Sequence, residues 1–234
     1  MNFYKFHASH DDEWEECVMP RRENVSMSVI RRLPRYYRFL SHLKEQGVTR
    51  ISSTELSGKL GLTASQIRQD LNCFGGFGQQ GYGYIVSQLC DEIANILSLS
   101  SEYPAVLFGA GNLGRAIGTH MSFKQEGFKL IGIFDNSPDR IGMELASLRV
   151  RDVAEMEEFC RKEKPVMAIF CLPPEAAAEL TEKLYNLGVR NFWNFSHFDI
   201  VMQYPDAIVE NVHLNDSLMT LCYRISNEKK TAGK

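Results

Sequence analysis

A chain of 234 residues, 44% hydrophobic and 24% charged, is long enough for two unequal domains and apolar enough to give each a core, which excludes wholesale disorder. Its six cysteines, Cys17, Cys73, Cys90, Cys160, Cys171 and Cys222, form no C-x-x-C pair and no zinc-ribbon spacing, so neither a disulfide framework nor a metal knuckle is indicated and no metal ligand is assigned. The net charge of −3 conceals a reversal of sign along the chain, and no leading apolar segment or membrane-spanning run interrupts it, so a cytoplasmic protein is expected.

Residues 1–24 read as an acidic arm. Within 1–20, Lys5 stands against Asp11, Asp12, Glu13, Glu15 and Glu16, a net −4 that predicts a solvated, disordered segment. His7, His10, Asp11 and Asp12 could be drawn as a metal site but are read as part of this solvated tail, because no apolar framework would hold them around a metal. Residues 21–85 reverse the sign, with ten arginines and lysines against four carboxylates giving +6. Positive charge concentrated in this way is the footprint of a nucleic-acid binder.

Over 25–85 the pattern is that of a winged helix-turn-helix. Leu33, Tyr37, Leu40 and Leu43 fall at helical spacing, with Pro34 in the first turn and Gly47 as the stop. Ser52 with Glu55, and Thr63 with Gln66, make two capping boxes on either side of Gly61, so helix, tight turn and helix follow one another. The second helix buries Ile67 and Leu71 and leaves Ser65, Gln66, Arg68 and Gln69 on its other faces, where side chains of a recognition helix meet base edges and phosphates. Asp70 is read as an intradomain partner for an arginine. FGGFGQQGYGY at 74–84 interleaves glycines with aromatics, as a β-hairpin wing requires, and Gln79, Gln80 and Tyr82 join Arg32 as candidate DNA contacts. A helical protein-interaction module is the alternative for this basic region, and a disordered linker is the alternative for the wing.

A helix at about 86–99 leads into the second domain, expected over 86–207. The apolar runs AVLFG at 105–109, KLIGIFD at 129–135, VMAIFCL at 166–172 and VRNFWNF at 189–195 alternate with helices at 112–121, about 153–162 and 174–187. Continuous apolar strands separated by helices predict a doubly wound parallel sheet covered on both faces, a Rossmann-type α/β domain. IVENV at 208–212 is a last strand, Leu214, Leu218, Leu221 and Ile225 stripe a closing helix that ends near 226, and 227–234 are expected to be a flexible tail.

The chemistry of this domain is carried by Gly109, Ala110, Gly111, Asn112, Leu113 and Gly114. These satisfy G-x-G-x-x-G between a strand and a helix, where backbone N–H groups and a helix N-terminus can meet a pyrophosphate. Asp135 lies at the end of the second strand, where a carboxylate can accept both ribose hydroxyls and favours NAD over NADP, with Asn136 and Arg140 beside the adenosine. Ligands in such sheets lie beyond the carboxyl ends of the strands, so Cys171, Leu172 and Pro173, and Asn194, Phe195 and Ser196, are candidate lining residues, with Asn194 suited to a carboxamide. A glycine-rich turn that binds nothing is the alternative. Cys171 is read as a small buried hydrophobe, not a thiol sensor, and His42 and His197 as surface or packing residues.

On RRLPRYYRFL at 31–40, SSTELSGKLGLTASQIRQDL at 52–71, FGGFGQQGYGY, GAGNLG at 109–114 and NFS at 194–196, in that order, the chain resembles the Rex family of bacterial redox-sensing transcriptional repressors over about residues 28 to 226. The resemblance implies a homodimer of winged-helix and Rossmann domains whose last helix is swapped between subunits. It implies binding to a pseudo-palindromic, A/T-rich operator with NAD+ or no ligand, and release by NADH. His120 and Leu214 are then placed near the nicotinamide. The sequence departs from the family at Gln69, where lysine is usual, and at Gln79 and Gln80, often basic, which implies fewer phosphate contacts and a weaker salt dependence. It also departs at His120 and His213, where tyrosine and aspartate are frequent. Those positions, with Arg38, look like the family's coupling network between ligand and DNA domain, and His120 and His213 are expected to replace it with Asp216 as a substitute partner for Arg38. Two neutral histidines packed at an interface are the alternative.

The chain is expected not to be an enzyme, since little of it remains after residue 200 for a substrate domain. The two other classes left open are an NAD-dependent oxidoreductase with a DNA-binding appendage and a CoA-binding regulatory domain.

Overall fold

In the computed structural model, residues 25–75, 77–79 and 82–232 are described. The expectations for the arm at 1–24, with its histidine and aspartate cluster, for Gln80 and for residues 233–234 lie outside them. The chain divides into two units, Met1–Leu97 and Ser98–Lys234.

In the first unit the element order is α1 (Met27–Ile30), α2 (Leu33–Glu45), β1 (Arg50–Ile51), α3 (Ser53–Leu60), α4 (Ala64–Asn72), β2 (Gly78–Gln79), β3 (Gly83–Ile85) and α5 (Val86–Ile96). The antiparallel sheet runs β1-β3-β2, so the wing expected over 74–84 is present. Leu33, Tyr36 and Leu40 of α2, Leu56 and Leu60 of α3, and Ile67 and Leu71 of α4 form one core with Val86, Leu89, Cys90 and Ile93 of α5. Each large apolar side chain withdrawn in this way contributes about 1.5–3 kcal/mol. The boundary therefore differs from the one at 85/86 suggested by the sequence: α5 packs on α2 and completes the first core, and the division falls at 97/98.

The caps at the helix-turn-helix also differ in part. Ser52 and Glu55 form the full reciprocal box, and Gly61 ends α3 in a left-handed turn. At α4 only half a box forms: Thr63 Oγ1 accepts from the Gln66 N–H, while the Gln66 side chain turns to Asp70.

The second unit contains β4 (Tyr103–Phe108), α6 (Asn112–His120), β5 (Phe128–Asp135), β6 (Glu144–Leu145), β7 (Leu148–Asp152), α7 (Met156–Glu163), β8 (Met167–Phe170), α8 (Pro174–Asn186), β9 (Asn191–Asn194), α9 (Ile200–Gln203), β10 (Ile208–Asn211) and α10 (Leu214–Ala232). Its sheet order is β10-β9-β8-β4-β5-β7-β6, parallel except for the short β6–β7 pair. Residues Ala105 to Phe108 are all buried because the strand is covered on both sides: Val106 and Phe108 join the core that includes Met156, Ala177 and Leu184, and Ala105 and Leu107 join that of Ile117 and Leu145. The chain leaves β4 first toward β5 and later returns to β8 on its other flank. The switch point, where a cleft opens beyond the strand ends, thus lies between β4 and β8. The closing helix runs on to Ala232, past the end expected at 226.

Candidate dinucleotide and DNA-binding sites

The loop after β4 shows three glycines under three different constraints. Gly109 has φ +95°, and a Cβ there would stand 2.3 Å from the Cys171 carbonyl oxygen. A Cβ on Gly114 would stand 1.8 Å from the Gly109 carbonyl oxygen, so α6 is drawn onto the strand end as no other residue allows. At Gly111 the nearest neighbour would be Arg140 Nη1 at 3.9 Å, so this glycine is spared by no protein atom and keeps open the space in front of the helix. Gly111 is also the N-cap of α6, with no side-chain cap to occupy the N–H groups of the first turn. Unpaired N–H groups and the helix dipole favour an anion at this point. The cradle therefore fits a pyrophosphate.

Asp135 is placed beside that loop, but its carboxylate is already engaged. Oδ2 accepts from the Ala110 N–H at 2.6 Å and Arg140 Nη1 at 3.3 Å, and Oδ1 accepts from the Ser137 N–H at 2.8 Å. With 5% of the residue exposed, Asp135 fastens the glycine loop to the end of β5, while Asn136 and Arg140 are exposed at the rim. A carboxylate has about four lone-pair sites, so one acceptor direction remains.

Across the switch point, the Cys171 N–H donates to the Phe108 carbonyl at 2.9 Å, which brings Cys171, Leu172 and Pro173 to the same end of the sheet as the glycines. Burial pushes the Cys171 thiol up to about 12, and that of Cys160 up to about 11, so both stay protonated at neutral pH.

Asn194 is fully buried and its amide is saturated. Nδ2 donates to the Phe198 carbonyl and Asn211 Oδ1, and Oδ1 accepts from the N–H and Oγ of Ser196. It therefore ties the ends of β9 and β10 together and shapes the Ser196 turn, where the sequence suggested a carboxamide-binding side chain. Phe195 stacks edge-on against Trp193 with centroids 4.8 Å apart. His213, half-buried, has Nδ1 3.7 Å from Asp216 Oδ2, and its ring lies 5.3 Å from that of His197. His197, read from the sequence as a surface or packing residue, is exposed. Asp216, expected as a partner for Arg38, pairs with His213. His120 ends α6 and is exposed, as is Leu214 at the start of α10.

In the first unit α4 presents Ser65, Arg68 and Gln69 to solvent, with Arg68 Nη1 donating to Ser53 Oγ at 3.0 Å. The arginine partner of Asp70 proves to be Arg32, which reaches it with Nε at 2.6 Å and Nη2 at 2.7 Å, a bidentate pair. Tyr36 Oη donates to Asp70 Oδ2 at 2.6 Å, and Gln66 Nε2 donates to Asp70 Oδ1 at 2.9 Å. Burial works against ionisation of Asp70, but the hydrogen bonds from Arg32, Tyr36 and Gln66 outweigh it and hold the carboxyl below its usual range. Burial, and then the bond to Asp70, hold the Tyr36 phenol above its own. Arg32 and Gln66, both DNA-contact candidates by sequence, thus share an internal carboxylate. On the wing, Tyr82 is 70% exposed, and Arg50, which the sequence did not single out, donates to its carbonyl and lies over its ring. Arg38 is exposed on α2.

Among the described residues no group of three or more His, Cys, Asp or Glu is placed to hold a metal ion, and no helix is long and apolar enough to cross a membrane.

A family profile described as "Putative DNA-binding protein N-terminus" matches residues 24–72, and one described as "CoA binding domain" matches residues 100–198. The redox-sensing transcriptional repressor Rex of Thermoanaerobacter pseudethanolicus is 48% identical over 211 residues, 90% of this chain and 94% of the relative. That of Clostridium botulinum is 46% identical over 211 residues, 90% of this chain and 100% of the relative. A crystal structure of RSP in complex with beta-NAD+ and operator DNA aligns with a TM-score of 0.81 at 48% identity, over 91% of this chain and 99% of that one. One of RSP in complex with beta-NADH aligns with a TM-score of 0.81 at 44% identity, over 90% and 99%.

Proposed function

The chain belongs to the Rex family of redox-sensing transcriptional repressors, and from that membership we propose that it binds a pseudo-palindromic, A/T-rich operator as a homodimer, free or with NAD+, and releases it when NADH takes the dinucleotide site. The observation that carries this reading is the glycine cradle, in which Gly111 alone of the three glycines would clear an added Cβ, with Arg140 Nη1 its nearest neighbour at 3.9 Å. The bound dinucleotide supplies a nicotinamide ring that loses its positive charge on reduction. The chain's own part is to hold the pyrophosphate on the N–H groups of α6, fix the loop through Asp135, and line the nicotinamide end with residues beyond β8 and β9.

Two recognition helices must meet the operator at a fixed spacing, so a nucleotide that favours another arrangement of subunits weakens binding. A decisive shift needs about a 10⁴-fold preference of NADH for the released state. For the coupling we propose His213 with Asp216 at the ligand end, supported by their 3.7 Å separation, and Arg38 at the DNA end, with His120 on α6. Leu214, Leu218, Leu221 and Ile225 of α10 are 47–64% exposed. That is the stripe a second copy would cover by exchanging the helix. Solvent-accessible Ser65, Arg68, Gln69 and Tyr82, with half-buried Gln66, are the DNA contacts, and the protein acts in the cytoplasm as a regulator and not a catalyst.

The test is fluorescence anisotropy of an A/T-rich palindromic duplex titrated with the protein alone and with NAD+, NADH or CoA. NADH should release the duplex and NAD+ should not. Release by CoA, or steady turnover of an alcohol or hydroxy acid with NAD+, would overturn the reading in favour of a CoA-responsive regulator or an oxidoreductase.

A further inference from the structure

Gln66 sits at the third position of α4, half-buried, on the recognition helix assigned above. A free glutamine on such a helix is an ambiguous reader. Its amide can turn over and offer N–H to a guanine or thymine oxygen, or its oxygen to the amino group of adenine or cytosine. Here one end of the amide is not free. Asp70 is 1% exposed and ionised, and an ionised carboxylate only accepts. It receives two bonds from Arg32, one from Tyr36 and one from Gln66, which fills its four lone-pair directions. The amide must therefore turn Nε2 toward Asp70 and Oε1 away from it.

We infer that Asp70 acts as a positioning residue for base selection: by holding Nε2 of Gln66 it presents Oε1 outward, so that α4 reads an amino base, adenine or cytosine, and discriminates against guanine or thymine at one position of each half-site. The inference rests on α4 being the recognition helix. Arg32 has the companion role of keeping Asp70 charged. The pair spans 38 residues of sequence, from the start of α2 to the end of α4, so the orientation of one amide on the reading face is tied to the packing of the whole unit.

The experiment starts from the palindromic duplex enriched by the full-length protein from a randomised library, and measures binding to every single base-pair variant of it. The wild type should show one position per half-site where the transition from amino to keto base weakens binding about tenfold. Gln66→Ala should flatten that position. Gln66→Glu, which offers only acceptors, should keep the sign of the preference. Asp70→Asn can donate or accept, frees the amide to turn over, and should reduce the discrimination to about twofold or less while a melting curve shows the unit folded. A preference for guanine or thymine that depends on Gln66, a reversal in Gln66→Glu, or a folded Asp70→Asn protein with unchanged discrimination would each overturn the inference. Should Asp70→Asn fail to fold, the sign seen with Gln66→Glu decides. Failure of the wild type to enrich any duplex would overturn the reading of α4 itself, and is distinguishable from enrichment without dependence on Gln66.

Discussion

The glycine loop after β4 and the reading face of α4 are built by opposite means. The first is a site of backbone: its N–H groups are the proposed binding groups, and the side chains that matter are those missing at 109, 111 and 114. The second is a site of side chains, and its geometry depends on a buried carboxylate that binds residues from two helices. A backbone site is fixed by clearance, whereas a side-chain site is fixed by hydrogen-bond partners. The two should fail differently when altered.

The sharpest contrast is within the loop. Gly114→Ala would force a methyl group to within 1.8 Å of the Gly109 carbonyl oxygen, so it should destabilise the second unit by about 3 kcal/mol or more. Denaturant melts check this, and a variant as stable as wild type would show that α6 can shift away from the strand. Next in size is the carboxylate. Asp70→Ala leaves Arg32 and Tyr36 without their buried acceptor and should cost the first unit about 2–4 kcal/mol. The same bond has a pH signature. Because the folded carboxyl lies below its usual range, its contribution is complete above an unfolded value of about 3.9 and is lost as pH falls below that. Acid melts of wild type and Asp70→Ala should therefore converge as pH falls below about 3.9, and parallel curves would assign the loss to packing.

Gly111→Ala gives a smaller effect of another kind. With no protein atom closer than 3.9 Å to the added carbon, stability should change by no more than about 0.5 kcal/mol, while NADH affinity falls about tenfold, or 1.4 kcal/mol. Unchanged affinity by calorimetry would mean that the space in front of α6 is not where the dinucleotide lies. The smallest effect is expected at His213, between His197 and Asp216. Replacing the ring in His213→Asn should change NADH-induced release by about two- to fivefold, and unchanged release would remove His213 from the switch.

The legibility of these regions in sequence follows the same division. The glycine triad, the Ser52–Glu55 box and the alternation of apolar strands are local patterns, and each appears where the spacing places it. Asp70 was legible as the partner of some arginine. That the arginine is Arg32, 38 residues away, is a tertiary fact with no local signal. Gln66 was drawn to the cap by its position three residues after Thr63, and a charged acceptor one turn further on took its side chain instead. The boundary at 85/86 failed for a related reason: the apolar face of α5 announces burial but not the helix it is buried against. Asn194 read as a ligand donor because its partners, Asn211 and the Phe198 carbonyl, come from a neighbouring strand and a following turn. The pair β6–β7, with one strand of two residues, is too short to show a period.

The seam between Gly109 and Cys171 has a mechanical meaning. It joins the β4–β5 half of the sheet to the β8–β9 half under the nicotinamide end of the proposed cleft, with less clearance than one methyl group needs. A floor without free volume does not cushion, because close-packed interiors compress little and hand strain onward. Ligand-dependent displacements at this floor are therefore expected to pass into the sheet halves as rigid tilts rather than be spent in local give, and an output that depends, as proposed, on the spacing of two recognition helices is served by a lever that does not bend.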